Sequence, residues 1–244
     1  MTLSDLEAYV QNFLQFTYAN GNWTQPEIQQ YLRDEELRMF VHIVGKDEDF
    51  FETSTTLSEV ASQAVYTLPT NFYKCIRVER IQGANATPQL PIPLNVVDKN
   101  ASSISQARGA WWPSITPGTV QAPMHYMVHG QSTLELIPSP SNSTANSLTV
   151  YYAARPIGMF APTDVPFQIV AGGGGPGKDD LREWHDIIAL GACEKALLHE
   201  EAYPQADRVK MLKNERLSEL TNYLAQINVQ QPRYIQITDS VYEG

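Results

Sequence analysis

The chain has 244 residues and a mass of 27.3 kDa, enough for one large or two small domains with a sizeable core and no need of disulfide or metal staples. An apolar share of 43% and an aromatic share of 10% exclude global disorder, and no apolar run approaches the ~18 residues of a membrane span. The formal charge is −10 without a visible basic patch, which excludes an ordinary nucleic-acid binder. Residues 1–60 hold 11 acids against 3 bases, residues 61–177 hold 4 against 6, and residues 178–244 hold 12 against 8. The sparsely charged middle is therefore expected to be well buried or covered by a partner. The start, MTLSDLEAYV, has acids where a signal peptide has lysines, so no secretion signal is expected. Cys75 and Cys193 sit in apolar periodic segments and read as small core residues of a reducing compartment.

In chain order, Leu6, Tyr9, Val10, Phe13 and Leu14 recur at helical steps and predict a helix over 3–18, stopped by Asn20-Gly21. Thr24-Gln25-Pro26-Glu27 is a capping box, and the helix it opens is expected to run to Val44 and end at Gly45, pairing with the first as an antiparallel hairpin. Residues 64–69 form a short extended piece. Lys74 to Ile81 alternates as a strand with one wetter face. Pro88, Pro91 and Pro93 predict an edge or loop, residues 96–108 a short polar helix, and residues 109–123 an irregular stretch around Trp111 and Trp112. His125–His129 and Thr133–Ile137 flank Gly130-Gln131-Ser132 as a hairpin. A polar loop over 141–147 leads to a strand over 147–153. After the glycine-rich loop 172–177, Asp179 or Asp180 can cap a nearly all-apolar helix that Tyr203-Pro204 breaks. A second helix extends to Ile227. Residues 228–244 lack helical period, but Arg233 to Thr238 alternates and is β-prone.

Little here points to chemistry. Gly172 to Lys178 fits the first seven positions of a phosphate-binding loop, but Asp179 stands where the magnesium-binding hydroxyl belongs, and the repeated strand–helix units of a parallel sheet are missing. A hinge before a capped helix is the simpler reading. His125 and His129 share a strand face without a third ligand nearby, and His199-Glu200-Glu201 lacks the second histidine of a zinc-protease helix. Trp111 and Trp112 suit either sugar stacking or an interface anchor. No catalytic residue, metal or cofactor is expected.

The order of motifs is more informative than any one of them. Two helices come first, then Tyr-Thr-Leu-Pro-Thr-Asn-Phe-Tyr-Lys (66–74), Leu-Glu-Leu-Ile-Pro-Ser-Pro (134–140), Leu-Thr-Val-Tyr-Tyr-Ala-Ala-Arg-Pro (148–156) and a closing helix that opens on Trp-His-Asp (184–186). This layout resembles the head-to-tail adaptor, or connector, proteins of tailed bacteriophages over most of the chain. The resemblance implies a structural protein of the virion, assembled in the host cytoplasm as a ring, usually twelve-fold, between the portal and a tail protein. Double-stranded DNA would pass through it without sequence-specific binding.

The fold class expected on both grounds is α+β. Residues 1–60 and 178–227 form an antiparallel helical bundle, residues 61–177 an inserted β-rich lobe, and residues 228–244 an extended docking tail. Arg233, Tyr234, Ile235 and Ile237 are expected to dock on the portal or a neighbouring copy, Asp34, Glu35 and Glu36 to line the channel as an acidic, DNA-repelling surface, and Trp111 and Trp112 to anchor an interface. A nucleotide-binding protein using Lys178 and a glycan-binding tail component using Trp111 and Trp112 are the alternatives.

Overall fold

The computed structural model describes residues 1–19, 21–81, 91–97, 125–169 and 181–230, with side chains described as far as residue 227. Helix α1 (Leu3–Leu14) starts from a capping box: the Thr2 hydroxyl accepts from the Asp5 N–H (3.2 Å) and the Asp5 carboxylate accepts from the Thr2 N–H (2.7 Å). The helix stops four residues short of the expected Tyr18, because Gln15 turns left-handed at φ 55°. Phe16 and Tyr18 then pack edge-to-face in an aromatic cluster whose Phe16–Trp23 centroids lie 4.8 Å apart. Gly21 does not act as a helix stop. A Cβ there would meet the Phe16 ring at 2.6 Å and the Thr17 carbonyl at 2.9 Å, so glycine is what lets the loop close over the ring.

Helix α2 (Gln25–Lys46) opens with the expected box, the Glu27 carboxylate accepting from both the Thr24 N–H and its hydroxyl (2.7 Å each), with Pro26 in the first turn. It passes through Gly45, the expected stop, and ends where Asp47 becomes extended. After a 3₁₀ turn at Arg182–Trp184 come α3 (His185–His199) and α4 (Tyr203–Gln230), the latter carrying Pro204 in its first turn. The expected α1–α2 hairpin is not the main contact. Both helices pack chiefly on α3, which is buried along most of its length and also carries α4.

Among the described residues, eight strands lie between α2 and α3 in the chain: β1 (Glu52–Glu59), β2 (Val65–Thr67), β3 (Phe72–Ile81), β4 (Pro91–Pro93), β5 (Asn95–Val96), β6 (His125–His129), β7 (Thr133–Ile137) and β8 (Thr144–Ala154). They form two four-stranded sheets, in the orders β1-β8-β3-β4 and β2-β7-β6-β5. All neighbours are antiparallel except β5 and β6. The β6–β7 hairpin has the expected bounds, and the proline-bearing β4 lies at a sheet edge as expected. Strand β8 begins inside the expected polar loop. Strand β1 lies within residues expected to belong to the helical bundle, so the boundary at residue 60 is corrected: the chain leaves the helices at Asp47 and is already in a sheet at Glu52. The predicted polar helix over 96–108 falls almost wholly outside the described residues.

The class is α+β, with two hydrophobic cores among the described residues. One joins all four helices with Phe51, Ala153, Met159 and Phe167. The other is shared by both sheets and includes Tyr66, Phe72, Tyr126, Leu134, Leu136, Leu148, Val150 and Tyr152. The two-residue period of β8 links them. Leu148, Val150, Tyr152 and Ala154 face the sheet core, while Ala153 points the other way, into the helical one.

Candidate assembly surfaces and the bundle junction

The acidic triplet on α2 is where the sequence reading most needs correction. Successive helical residues point about 100° apart, so three in a row cannot share one face. Asp34 is half-exposed, but Glu35 and Glu36 are 5% and 2% exposed. Glu35 sits between two lysines of the C-terminal helices, with Lys195 Nζ at 3.2 Å and Lys213 Nζ at 3.6 Å, and accepts from Arg38 at 2.8 Å. Lys195 also reaches Asp34 (3.1 Å), and Lys213 is paired with Glu194. This network stitches α2, α3 and α4 together. Glu35 and Glu36 therefore line no channel, because their own chain covers them. Gly191 of α3 permits the close approach: a Cβ there would fall on the Glu35 carboxyl, 2.6 Å from its Cδ.

Glu36 turns to the segment that returns from β8 to the helices. Its carboxyl accepts from the Phe167 N–H (2.7 Å), where Phe167 is held at φ 65°. Burial pushes the Glu36 carboxyl up to about 7, against the pull of that N–H, and Asp164 adds to the rise. The same segment is fastened elsewhere. The Asp164 and Pro162 carbonyls accept from the Leu3 and Ser4 N–H groups (2.7 and 3.1 Å), supplying partners for the open first turn of α1. Arg33 donates to the Met159 carbonyl (3.3 Å) and lies over the Phe160 ring.

Each residue of Trp-His-Asp makes a different tie. Trp184 is buried, faces Tyr223 and carries the Arg216 guanidinium 4.8 Å above its ring. Asp186 accepts from that guanidinium at 2.8 Å, and Arg216 also donates to the Glu183 carbonyl (2.9 Å). The imidazole of His185, fully buried, accepts from the Met1 amine at Nδ1 (3.2 Å) and lies against the Phe167 ring. Burial, then the neighbouring ammonium, lower the His185 imidazole to about 4, so it is neutral at pH 7. Arg216 and Phe167 are the partners that sequence reasoning missed. An arginine 30 residues downstream on another helix, and a lone aromatic in an irregular segment, carry no pattern that could have revealed them.

The β-region motifs prove equally structural. Asn71 accepts from the Tyr152 hydroxyl (3.1 Å) and its carbonyl from the Arg155 N–H (2.7 Å). The Tyr66 hydroxyl accepts from the Val60 N–H (3.1 Å). Across β8, Arg80 grips the fully buried Glu59 carboxylate (2.7 and 3.2 Å), and Arg77 bridges to Glu52 while stacking on Tyr151. His129 meets Glu135 (2.7 Å), and no group of three metal-ligating side chains occurs among the described residues. No described helix is long and apolar enough to cross a membrane. Cys193 is buried and free, its thiol pushed up to about 12 by burial, and Cys75 is half-buried and free.

The features at this junction all hold helices and sheets together. The motifs that carried the resemblance (66–74, 134–140, 148–156 and 184–186) thus supply packing contacts of the fold. A family profile described as SU10 adaptor protein matches residues 1–239. The chain belongs to the SU10 adaptor protein family. The adaptor is thereby a structural protein of a bacteriophage, as the order of its motifs implied. No curated protein matches it. Of the residues singled out in the adaptor's sequence, Arg233, Tyr234, Ile235, Ile237, Trp111, Trp112 and the loop 172–180 with Lys178 lie outside the described residues.

Proposed function

We propose that this protein forms a ring at the head–tail junction of the virion, joining the portal to a tail protein and leaving a central passage for double-stranded DNA. The observation that carries the reading is the family match over residues 1–239. The fold supports it. The most connected buried polar groups fasten one element to another, as expected of a part that transmits load and performs no turnover. The tail, with Tyr234, Ile235 and Ile237, serves as a docking segment, and Trp111 and Trp112 serve as interface anchors. Channel-facing charge comes from acids other than Glu35 and Glu36.

Negative-stain imaging and native mass spectrometry of the full chain mixed with its portal test this reading. The expected result is a closed ring seated on the portal, most simply of twelve copies. A chain that stays monomeric and unbound in that mixture overturns it. The protein works without nucleotide hydrolysis, so Lys178→Ala is expected to leave assembly unchanged. ATP hydrolysis that disappears in this variant would contradict the structural role.

A further inference from the structure

The chain returns from β8 toward the helices through a closed loop. The Ile157 N–H donates to the Gln168 carbonyl at 2.9 Å, so residues 157–168 leave and re-enter the fold at one neck. A left-handed residue stands just inside each side of that neck, Gly158 at φ 82° and Phe167 at φ 65°. Glycine takes this conformation freely. A bulky side chain takes it under strain, and only where its surroundings hold it there. The far turn is self-braced, the Asp164 carboxylate accepting from the Phe160 and Ala161 N–H groups (2.8 and 2.7 Å).

Three helices hold the loop down. Glu36 of α2 accepts from the Phe167 N–H, Leu3 and Ser4 of α1 donate to the Asp164 and Pro162 carbonyls, and His185 of α3 lies against the Phe167 ring. The local costs meet at Phe167. Its own backbone is strained, the Glu36 carboxyl beside it is buried, and the buried His185 Nε2 has no hydrogen-bond partner. Burial of Met159 and Phe167 opposes release. A segment loaded with strain and an unpaired polar atom opens at lower free energy than the packed elements around it.

We infer that residues 157–168 form a latch. The loop opens as one unit about the Ile157–Gln168 neck, with the Glu36–Phe167 contact as its catch, and its release frees the first turn of α1 while both sheets stay folded. The inference stands apart from the ring reading, because it uses only contacts within one subunit. It couples residues that share no bond: Glu36 on α2 controls Leu3 and Ser4 on α1. Those two lie in a first helical turn, where N–H groups have no partner within the helix, so their protection from exchange reports the loop.

Amide hydrogen exchange of the full chain, resolved to single residues, tests this. The Leu3, Ser4, Ile157 and Phe167 amides are expected to share one opening constant, larger than that of Val150 at the centre of its sheet. Unrelated constants at these amides, or one equal to that of Val150, overturn the latch. This measurement needs no variant, so it decides the matter even if Glu36→Ala fails to fold. Where Glu36→Ala does fold, exchange at Leu3, Ser4 and Ile157 is expected to rise roughly tenfold, the effect of losing one buried hydrogen bond, with Val150 unchanged. Glu36→Gln keeps an acceptor and is expected to restore their protection. A rise confined to Phe167, or one equally large at Val150, rejects the proposal.

Discussion

Glu36 and His185 are both buried, both touch Phe167, and are shifted in opposite senses. The Glu36 carboxyl rises from 4.5 to about 7, so the folded chain holds a proton that the unfolded chain releases. Its contribution is fully present below pH 4.5 and is lost as pH rises through about 7. The His185 imidazole falls from 6.5 to about 4, so its contribution is present above pH 6.5 and is lost as pH falls through about 4. Between pH 4.5 and 6.5 the two slopes oppose each other, and the native chain is expected to show a nearly flat stability profile there. Glu36→Gln keeps an acceptor for the Phe167 N–H but cannot ionise. The variant should gain stability relative to the native chain above pH 7, on the order of 3 kcal/mol, and should lose stability on acidification from pH 6.5. Denaturant titrations of both proteins from pH 4 to 8 check this. Parallel profiles would mean that Glu36 does not titrate in this window.

At the scale of elements, the helices are joined through contacts that tolerate little change. Gly191→Ala improves helix propensity by about 1 kcal/mol, but its new methyl group lands on the Glu35 carboxyl, which Lys195, Lys213 and Arg38 hold in place. Overpacking of this kind costs about 1–3 kcal/mol, so a net loss is expected. Glu35→Ala should relieve it, and a double-mutant cycle without coupling between the two positions would disprove the contact's importance. Trp184→Ala should cost about 3–5 kcal/mol, because the ring is buried in the helical core and supports Arg216. A change near zero by denaturant titration would show that it is not part of that core. Elements with strong local signals were legible in the sequence: the Thr24 capping box, the β6–β7 hairpin and, to within a few residues, the helix break expected at Tyr203-Pro204, which falls at 200–202 with Tyr203-Pro204 opening α4. Strand β1 was not. Glu-Thr-Ser-Thr-Thr-Leu-Ser-Glu has almost no apolar alternation, and its strand state comes from pairing with β8, a partner some 90 residues away. The end of α1 was hidden for a similar reason, since the helix expected to run to Tyr18 gives way after Leu14 to the packing of Phe16 against Trp23.

At the scale of the whole molecule, a charge count says how many acids there are and not where they face. Of the 11 acids in residues 1–60, Glu7, Glu35, Glu36, Asp47 and Glu59 are buried, so the N-terminal segment is far less acidic on its surface than in its sequence. Each has a partner: Gln25 and Gln29 donate to Glu7, the lysines and Arg38 hold Glu35, Phe167 caps Glu36, the Asp49 N–H reaches Asp47, and Arg80 grips Glu59. Charges tied inside a subunit project little field into a passage, whereas exposed ones do. The formal charge of −10 nevertheless remains, and a ring multiplies it by its copy number. Retention of duplex DNA by phosphate contacts needs clustered lysines and arginines and weakens steeply as salt is raised. Here Lys195, Lys213, Arg77, Arg80 and Arg216 are all committed to carboxylates of the same chain. The assembled protein is therefore expected to leave the electrophoretic mobility of duplex DNA unchanged even at low salt, so that DNA slides through the ring without sticking. Firm retention that disappears as salt rises would mean that the remaining lysines and arginines supply a basic surface, and the passage would then grip its cargo.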